Sequence, residues 1–298
     1  MTRRLWKFGI VGYPLGYSLS PLMHQAAFRA LGARGIHGTY VEYPVPPETL
    51  EPWLAEQAPA LGLDGFNVTI PHKETVFAWL KAHGGLLGSD EEGIGAINTV
   101  KIDGERWEGR NTDVQGFLDG LDRLGAPRRL EHQRAVLLGA GGAARAVAFA
   151  LLRYAGVGEL VIWNRHRPRA EVLAAGLTRL RREPAGQRWT VRVVDRPADA
   201  AIPEAQLLVN TVPVAGELLV DPESLRPGLV VYDLVYHPPW TALLTAAKRR
   251  GAHVISGLEM LAGQAALALR LWLSDVQEDV RPIMVEALRA QVGDQWPS

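Results

Sequence analysis

The chain of 298 residues contains no cysteine. This excludes disulfides, a thiolate nucleophile and any thiolate-held metal, and it leaves the redox compartment unmarked. An excess of either charge is also missing, since 32 Lys and Arg balance 32 Asp and Glu. A neutral chain argues against nucleic acid or an anionic membrane as the main partner. The eight histidines are scattered, with no pair set on one helix face as a zinc site would need, so no metal is expected. No uninterrupted apolar run reaches membrane-spanning length: Gly139, Gly141, Gly142 and Arg145 break the stretch from Ala135 to Leu152. Targeting signals are missing too. Arg3 and Arg4 precede an apolar stretch, but Lys7 interrupts it, Pro14 ends it, and no small-residue cleavage site follows. The expected location is the cytoplasm. There is no internal repeat or low-complexity segment.

What is present is a core-forming composition, 47% hydrophobic, in a chain long enough to favour two domains. In its middle lies Ala135-Val-Leu-Leu-Gly-Ala-Gly-Gly-Ala-Ala-Arg145. An apolar strand runs into a glycine turn and an alanine-rich helix from Ala143 to Leu152. Such a turn lets a pyrophosphate approach the backbone, and the free N–H groups of the helix start hold it. Ala144 takes the third glycine position, where a small residue permits close packing of helix on strand. Glycine turns of this kind are weak evidence alone, but here a second strand, Glu159–Trp163, follows and ends at Asn164-Arg165-His166-Arg167. A ribose with a free 2′-hydroxyl favours Asp or Glu at that point. Guanidinium groups favour a 2′-phosphate, so the cofactor reads as NADP.

More than a hundred residues precede the turn. They alternate strands (Leu5–Val11, Thr39–Tyr43, Gly65–Ile70) with helices (Ser20–Leu31, Pro47–Glu56, Pro71–Lys81). A hairpin follows, Ala96–Ile102 and Arg106–Gly109, turning at Asp103-Gly104, and then a helix from Asp113 to Leu124. Ser20 and Thr112 read as helix caps. The segment Gly125–Arg129 reads as a link. Strands at Trp189–Val194, Leu207–Thr211, Leu229–Asp233 and His253–Ile255 extend the second half, with helices between most of them. This alternation predicts an α/β fold with mainly parallel sheets. After Gly257 only helices remain, Leu258–Leu273 and Asp275–Val292. They cannot extend the sheet and are expected to return to the first domain. The expected domains are therefore 1–112 with 258–298, for substrate, and 113–257, a doubly wound Rossmann-type NADP domain.

Five polar clusters lie outside the glycine turn. Ser18-Leu-Ser20-Pro-Leu-Met-His24 places two hydroxyls at a helix start, an anion-friendly corner, although an ordinary capped helix explains it as well. In Asn67-Val-Thr-Ile-Pro-His-Lys73, Asn67 and Thr69 share a strand face, and Lys73 sits on a first helical turn where the dipole disfavours a cation. Gly95-Ala-Ile-Asn98-Thr99 carries an amide on a strand. Gly109-Arg-Asn111-Thr112-Asp113 ends a strand and starts a helix. Gly257-Leu-Glu-Met-Leu-Ala-Gly-Gln264 puts a glutamine on an apolar helix, where it needs partners.

Together with Val235-Tyr236-His-Pro, these motifs resemble the shikimate dehydrogenase family, in the family's order and over nearly the whole chain. The resemblance implies reversible NADPH-dependent reduction of 3-dehydroshikimate to shikimate, in aromatic amino-acid synthesis. By position, Lys73 and Asp113 match the catalytic pair. Ser18 and Ser20 match the residues holding the substrate carboxylate, Thr69, Asn98 and Gln264 those meeting ring hydroxyls, and Tyr236 a contact near the carboxylate. The expected cofactor contacts are Gly139, Ala140, Gly141, Gly142, Ala143, Asn164, Arg165, Arg167 and Gly257. Partners reduce to a small-molecule substrate, with the chain a monomer or homodimer. The chain departs from the family at Gln25, where Asn is usual, at His166, where Thr is usual, and in Thr211–Gly216.

The residues suit the chemistry. Charge grows on the ketone oxygen as hydride arrives, and an ammonium stabilises it and can donate the proton. Asp113 can orient Lys73 and keep it charged. Three other readings compete: a quinate/shikimate dehydrogenase with relaxed cofactor choice, a non-catalytic NADP-binding sensor, and a methyltransferase with a similar turn. A sensor would not require Lys73 and Asp113. A methyltransferase would not require the arginines, because its cofactor has no 2′-phosphate.

Overall fold

Short runs of apolar and β-branched residues form two six-stranded sheets. The structure is a computed structural model and describes residues 4–125, 130–180, 189–274, 276 and 278–297. The first sheet holds β1 (Leu5–Gly12), β2 (His37–Pro44), β3 (Gly65–Val68), β4 (Leu86–Leu87), β5 (Thr99–Asp103) and β6 (Arg106–Arg110), ordered β2-β1-β3-β5-β6-β4. β1 runs parallel to both its neighbours, whereas β5 is antiparallel to β3 and β6. The sheet is therefore mixed, with the expected hairpin supplying its antiparallel part. Helices Ser20–Leu31, Lys73–Ala82 and Ser89–Ile94 accompany it. The last of these and β4 have no counterpart in the sequence reading.

The second sheet holds β7 (Arg134–Leu138), β8 (Glu159–Trp163), β9 (Thr190–Val194), β10 (Leu207–Asn210), β11 (Val230–Asp233) and β12 (His253–Ser256). Its order is β12-β11-β10-β7-β8-β9, and all five pairings are parallel. The chain starts at β7 in the middle, winds one way to β9 and then the other way to β12. That is the doubly wound order, with its reversal beside β7. Helices Gly142–Arg153, Arg167–Leu180 and Ala242–Arg249 connect these strands. Leu138, Val161, Leu208, Val231 and Leu244 share one buried cluster. Strands covered on both faces read as continuous apolar runs, and for that reason they were legible.

Contacts divide the chain into one unit of Met1–Thr112 with Leu261–Gln291 and another of Asp113–Met260 with Val292–Ser298. The sequence placed the return at Leu258. The contacts place it at Leu261, inside the helix Gly257–Trp272, and group the last residues with the second unit. The final long helix is Arg281–Val292; the expected start, Asp275, lies outside the described residues. Of the expected link, Ala126–Arg129 lie outside the described residues. The expected helix Pro47–Glu56 is a composite. A 3₁₀ turn at Pro47–Thr49 leads through Leu50–Pro52 into a π-helical stretch, Trp53–Gln57, and a last turn at Ala58–Ala60. Pro52 and Pro59 each lack the N–H that an unbroken α-ladder would use. Leu50, Trp53 and Leu54 are buried there, and packing holds the irregular path.

Within the first unit, one side chain ties the returning helix to the sheet. The Trp272 indole N–H donates to the Val100 carbonyl at 2.8 Å. Its ring stacks on Phe8 with centroids 4.4 Å apart. A Cβ on Gly65 would lie 2.5 Å from the indole nitrogen, so β3 comes this close only because residue 65 has no side chain. Trp272→Ala should destabilise the protein by about 3–5 kcal/mol, combining a large cavity with the loss of the indole hydrogen bond. Denaturant unfolding measures this, and a loss below about 1 kcal/mol would show that the helix is held elsewhere.

Candidate active site

The serine corner differs in detail from its reading as a cap. Ser20 is the first residue of its helix and Leu19 is the cap, with no side-chain capping bond. The Ser18 hydroxyl accepts the Ser20 backbone N–H at 3.2 Å. Ser20 is buried and Ser18 half-buried. One turn on, His24 is fully buried and stacks on Tyr40 at 4.1 Å, with Trp272 tilted against it. Neither ring nitrogen has a protein hydrogen-bond partner. Burial pushes its pKa down to about 3.

The second and third clusters interlock. Lys73, half-buried, opens the helix Lys73–Ala82, two residues later than expected. Its carbonyl accepts the Ile97 N–H at 2.9 Å, which ties it to the residue before Asn98. Asn98 lies at a bend just before β5 and not on it, although its backbone bonds both neighbouring strands. Its N–H reaches the Arg110 carbonyl, and its carbonyl accepts from Val68. Its side chain is fixed as firmly. Oδ1 accepts the Thr112 N–H at 2.7 Å and the Thr99 hydroxyl at 3.0 Å, while Nδ2 donates to Thr112 Oγ1 at 2.9 Å and reaches Gln264 Oε1 at 3.5 Å. Gln264 Nε2 donates to the Leu261 carbonyl.

The network extends inward. Asn67 Nδ2 donates to Thr99 Oγ1 at 3.0 Å and to the Asn98 carbonyl, and Asn67 Oδ1 accepts the Tyr40 hydroxyl at 2.7 Å. Thr99 closes the third cluster but was given no role from sequence, and Tyr40 was missed, since a tyrosine on an alternating strand carries no signal for one. Thr69, half-buried, is anchored by its N–H on the Val11 carbonyl and accepts the His72 N–H. Asn111 donates to the Ala96 carbonyl and its N–H meets Glu91. Asp113, buried, opens the helix Asp113–Asp122 in the second unit.

The glycine turn is tight and opens onto an uncapped helix start. Gly139 sits at φ 115, which L side chains rarely adopt, and a Cβ there would collide with Thr211 Oγ1. Its N–H donates to the Trp163 carbonyl, and Thr211 bonds the Leu138 carbonyl through both N–H and hydroxyl. Ala140 is buried and Gly141 faces open space. Gly142 and Ala143 start the helix Gly142–Arg153, which has no side-chain cap, so no capping side chain competes for its first N–H groups. At the end of β8, Asn164 Nδ2 donates to the His166 carbonyl. Arg165 is exposed. Arg167 pairs with Glu171 at 2.7 Å and with Asp195. Tyr236 is half-buried on the loop after β11. Gly257 begins the helix Gly257–Trp272, where a side chain would strike the Leu234 carbonyl.

The family described as shikimate dehydrogenase substrate binding domain matches residues 10–100. Shikimate dehydrogenase (NADP(+)) of Moorella thermoacetica is 42% identical over 95% of this chain and 92% of that protein. The chain belongs to the shikimate dehydrogenase family. Among solved structures, shikimate 5-dehydrogenase from Thermus thermophilus, in complex with NADP(H) and shikimate, is similar at 38% identity and a TM-score of 0.78, over 96% of this chain and 99% of that one. Quinate dehydrogenase from Corynebacterium glutamicum, in complex with NAD, is similar at 31% identity and a TM-score of 0.80, over 96% and 99%. No helix among the described residues is long and apolar enough to cross a membrane.

His24 makes a pH prediction with a definite sign. Its folded pKa lies below its ordinary value, so the stability it contributes is present above about 6.5 and is lost as pH falls toward about 3. In His24→Phe, which keeps the stack and loses the proton site, stability relative to the parent chain should rise by about 1.4 kcal/mol per unit as the pH falls below about 6. Denaturant unfolding at a series of pH values measures the difference. Parallel curves would remove His24 from the acid response.

Proposed function

We propose that the chain catalyses the reversible NADPH-dependent reduction of 3-dehydroshikimate to shikimate, a step of aromatic amino-acid biosynthesis. One observation carries this reading: the interlocked amides and hydroxyls of Asn98, Thr99, Thr112 and Gln264, tied by backbone to Lys73 through Ile97, where β5 begins and the chain leaves β6. A polyol is the ligand such a cluster suits, because each ring hydroxyl both donates and accepts. Thr69, Asn98 and Gln264 are assigned to ring hydroxyls, Ser18 and Ser20 to the carboxylate, and Tyr236 to a contact beside it. Arg165 is assigned the 2′-phosphate, with Arg167 next to it. The pyrophosphate lies over Gly139, Ala140, Gly141, Gly142 and Ala143, and Asn164 and Gly257 complete the cofactor contacts. Residues 1–112 with the C-terminal helices then form the substrate domain, and 113–257 the NADP domain.

NADPH, when bound, supplies the hydride to the ketone carbon. Lys73 and Asp113 are the proposed catalytic pair. The Lys73 ammonium hydrogen-bonds the ketone oxygen, stabilises the alkoxide as charge develops and gives up the proton. In oxidation the same amine takes that proton back. The chain works on a small molecule in the cytoplasm, as a monomer or homodimer, and neither nucleic acid nor membrane is a partner. The likeness to a quinate dehydrogenase keeps quinate as a second substrate. Quinate carries an additional hydroxyl on the carbon bearing its carboxylate, so selectivity would be set at Ser18 and Ser20.

Two variants test these assignments. Lys73→Met should lower turnover by about 10²–10⁴-fold while the shikimate KM changes far less, because the alkoxide exists only as hydride moves. Near-normal turnover with a raised KM would reduce Lys73 to a substrate anchor. Arg165→Ala should raise the NADP⁺ KM by roughly ten- to a hundredfold, from loss of a charge-assisted contact, and leave that for NAD⁺ nearly unchanged. Equal losses for both cofactors would contradict the phosphate assignment.

A further inference from the structure

Asp233 ends β11 fully buried, and the proposed chemistry gives it no part. Its carboxylate accepts three hydrogen bonds. Oδ1 takes one from Asn210 Nδ2 at 2.8 Å and one from the Val235 backbone N–H at 3.1 Å, and Oδ2 takes one from the Thr241 hydroxyl at 2.7 Å. Thr241 in turn caps the helix Ala242–Arg249 by accepting the Leu244 N–H at 3.2 Å. Asn210 is the register partner of Asp233 on β10. Its amide is held by Val212 on both sides, and its carbonyl accepts the Leu234 N–H at 2.9 Å.

One carboxylate thus fastens both ends of the loop from Leu234 to Trp240. The bond to the Val235 N–H falls directly before Tyr236, and the bond from Thr241 falls on the cap of the next helix. A buried carboxylate is a costly anchor for a loop, since an apolar side chain would pack at the end of this strand without a desolvation penalty. Burial pushes the Asp233 pKa up to about 6 in spite of the hydrogen bonds that oppose the shift. What three directional bonds add, and packing alone does not, is a defined loop conformation.

We propose that Asp233 is a positioning residue for Tyr236, holding the loop so that the tyrosine meets the substrate carboxylate without first being ordered. This rests on the assignment of Tyr236 to that carboxylate. A side chain already in its bound geometry loses less entropy on binding, so the benefit appears in substrate affinity.

The test is a double-mutant cycle read in steady-state kinetics with shikimate and NADP⁺, alongside NADP⁺ affinity by equilibrium titration. Asp233→Asn should raise the shikimate KM by about tenfold, change kcat by less than about threefold and leave NADP⁺ affinity within about twofold. In the Tyr236→Phe background it should add little to KM, because the group it positions is gone. Full additivity there, or an unchanged KM in Asp233→Asn while Tyr236→Phe raises it, would overturn the inference. An unchanged KM in Tyr236→Phe would overturn the assignment of Tyr236, and this inference with it. Should Asp233→Asn fail to fold, Thr241→Val removes one of the three bonds and keeps the carboxylate. It should raise KM by about threefold in the parent chain and leave it unchanged in the Tyr236→Phe background, and any other pattern rejects the positioning role.

Discussion

The first unit depends on the close approach of Trp272 to Gly65 and Val100. The chain leaves this unit at Thr112 and returns at Leu261, so something must fix the returning helix in depth and rotation. The indole does both, with its ring on Phe8 and its N–H on the Val100 carbonyl. Gln264 lies a little over two turns earlier on the same helix, at about 1.5 Å of rise per residue. Once the indole is seated, Gln264 has little freedom in where it can reach, and it reaches Asn98. A side chain at Gly65 would push the helix outward and take Gln264 with it.

The polar cluster illustrates how a site can be built inside a sheet without cost to the core. Each buried amide and hydroxyl there has a partner, and the chain of bonds runs in one direction, from Tyr40 through Asn67 and Thr99 to Asn98. Because Asn98 Oδ1 is already engaged by Thr99 and Thr112, the orientation of its amide is set before any ligand arrives. Such networks rigidify when fully satisfied and destabilise when half satisfied, which explains why so many polar residues stand together here or not at all.

In the second unit the same logic operates at the carboxyl ends of parallel strands, where an open α/β sheet offers its loops for binding. Gly139 and Thr211 shape one loop, and Asn210 and Asp233 shape the next two. The two most perturbed buried groups, His24 and Asp233, respond to pH in opposite senses. Asp233 has a raised folded pKa, so the stability it contributes is fully present below the ordinary carboxyl range and lost as pH rises through about 6. His24 loses its contribution as pH falls. Between about pH 4 and 6 the two trends offset each other in the whole protein, although each remains separable by substitution.

Sequence alone determined what local physics and residue order carry. The apolar runs of the parallel strands, the glycine turn and the arginines after β8 can be read without a structure, because burial on both faces and a tight turn each leave a mark within a few residues. The ordered motifs likewise identified the family. Tertiary structure decided what depends on residues far apart in the chain. It made the expected helix at Pro47–Glu56 a composite of 3₁₀, α and π geometry, moved Ser20 from cap to first helical residue, and placed Asn98 ahead of its strand. It gave Arg167 to Asp195 and Glu171, brought Tyr40 and Thr99 into the polar network, and enclosed Asp233 with Asn210 and Thr241. A hydrogen bond between residues 40 and 67, or 98 and 264, leaves no periodicity and no spacing for a sequence to show. Such pairs form only when the sheets and the returning helix have packed.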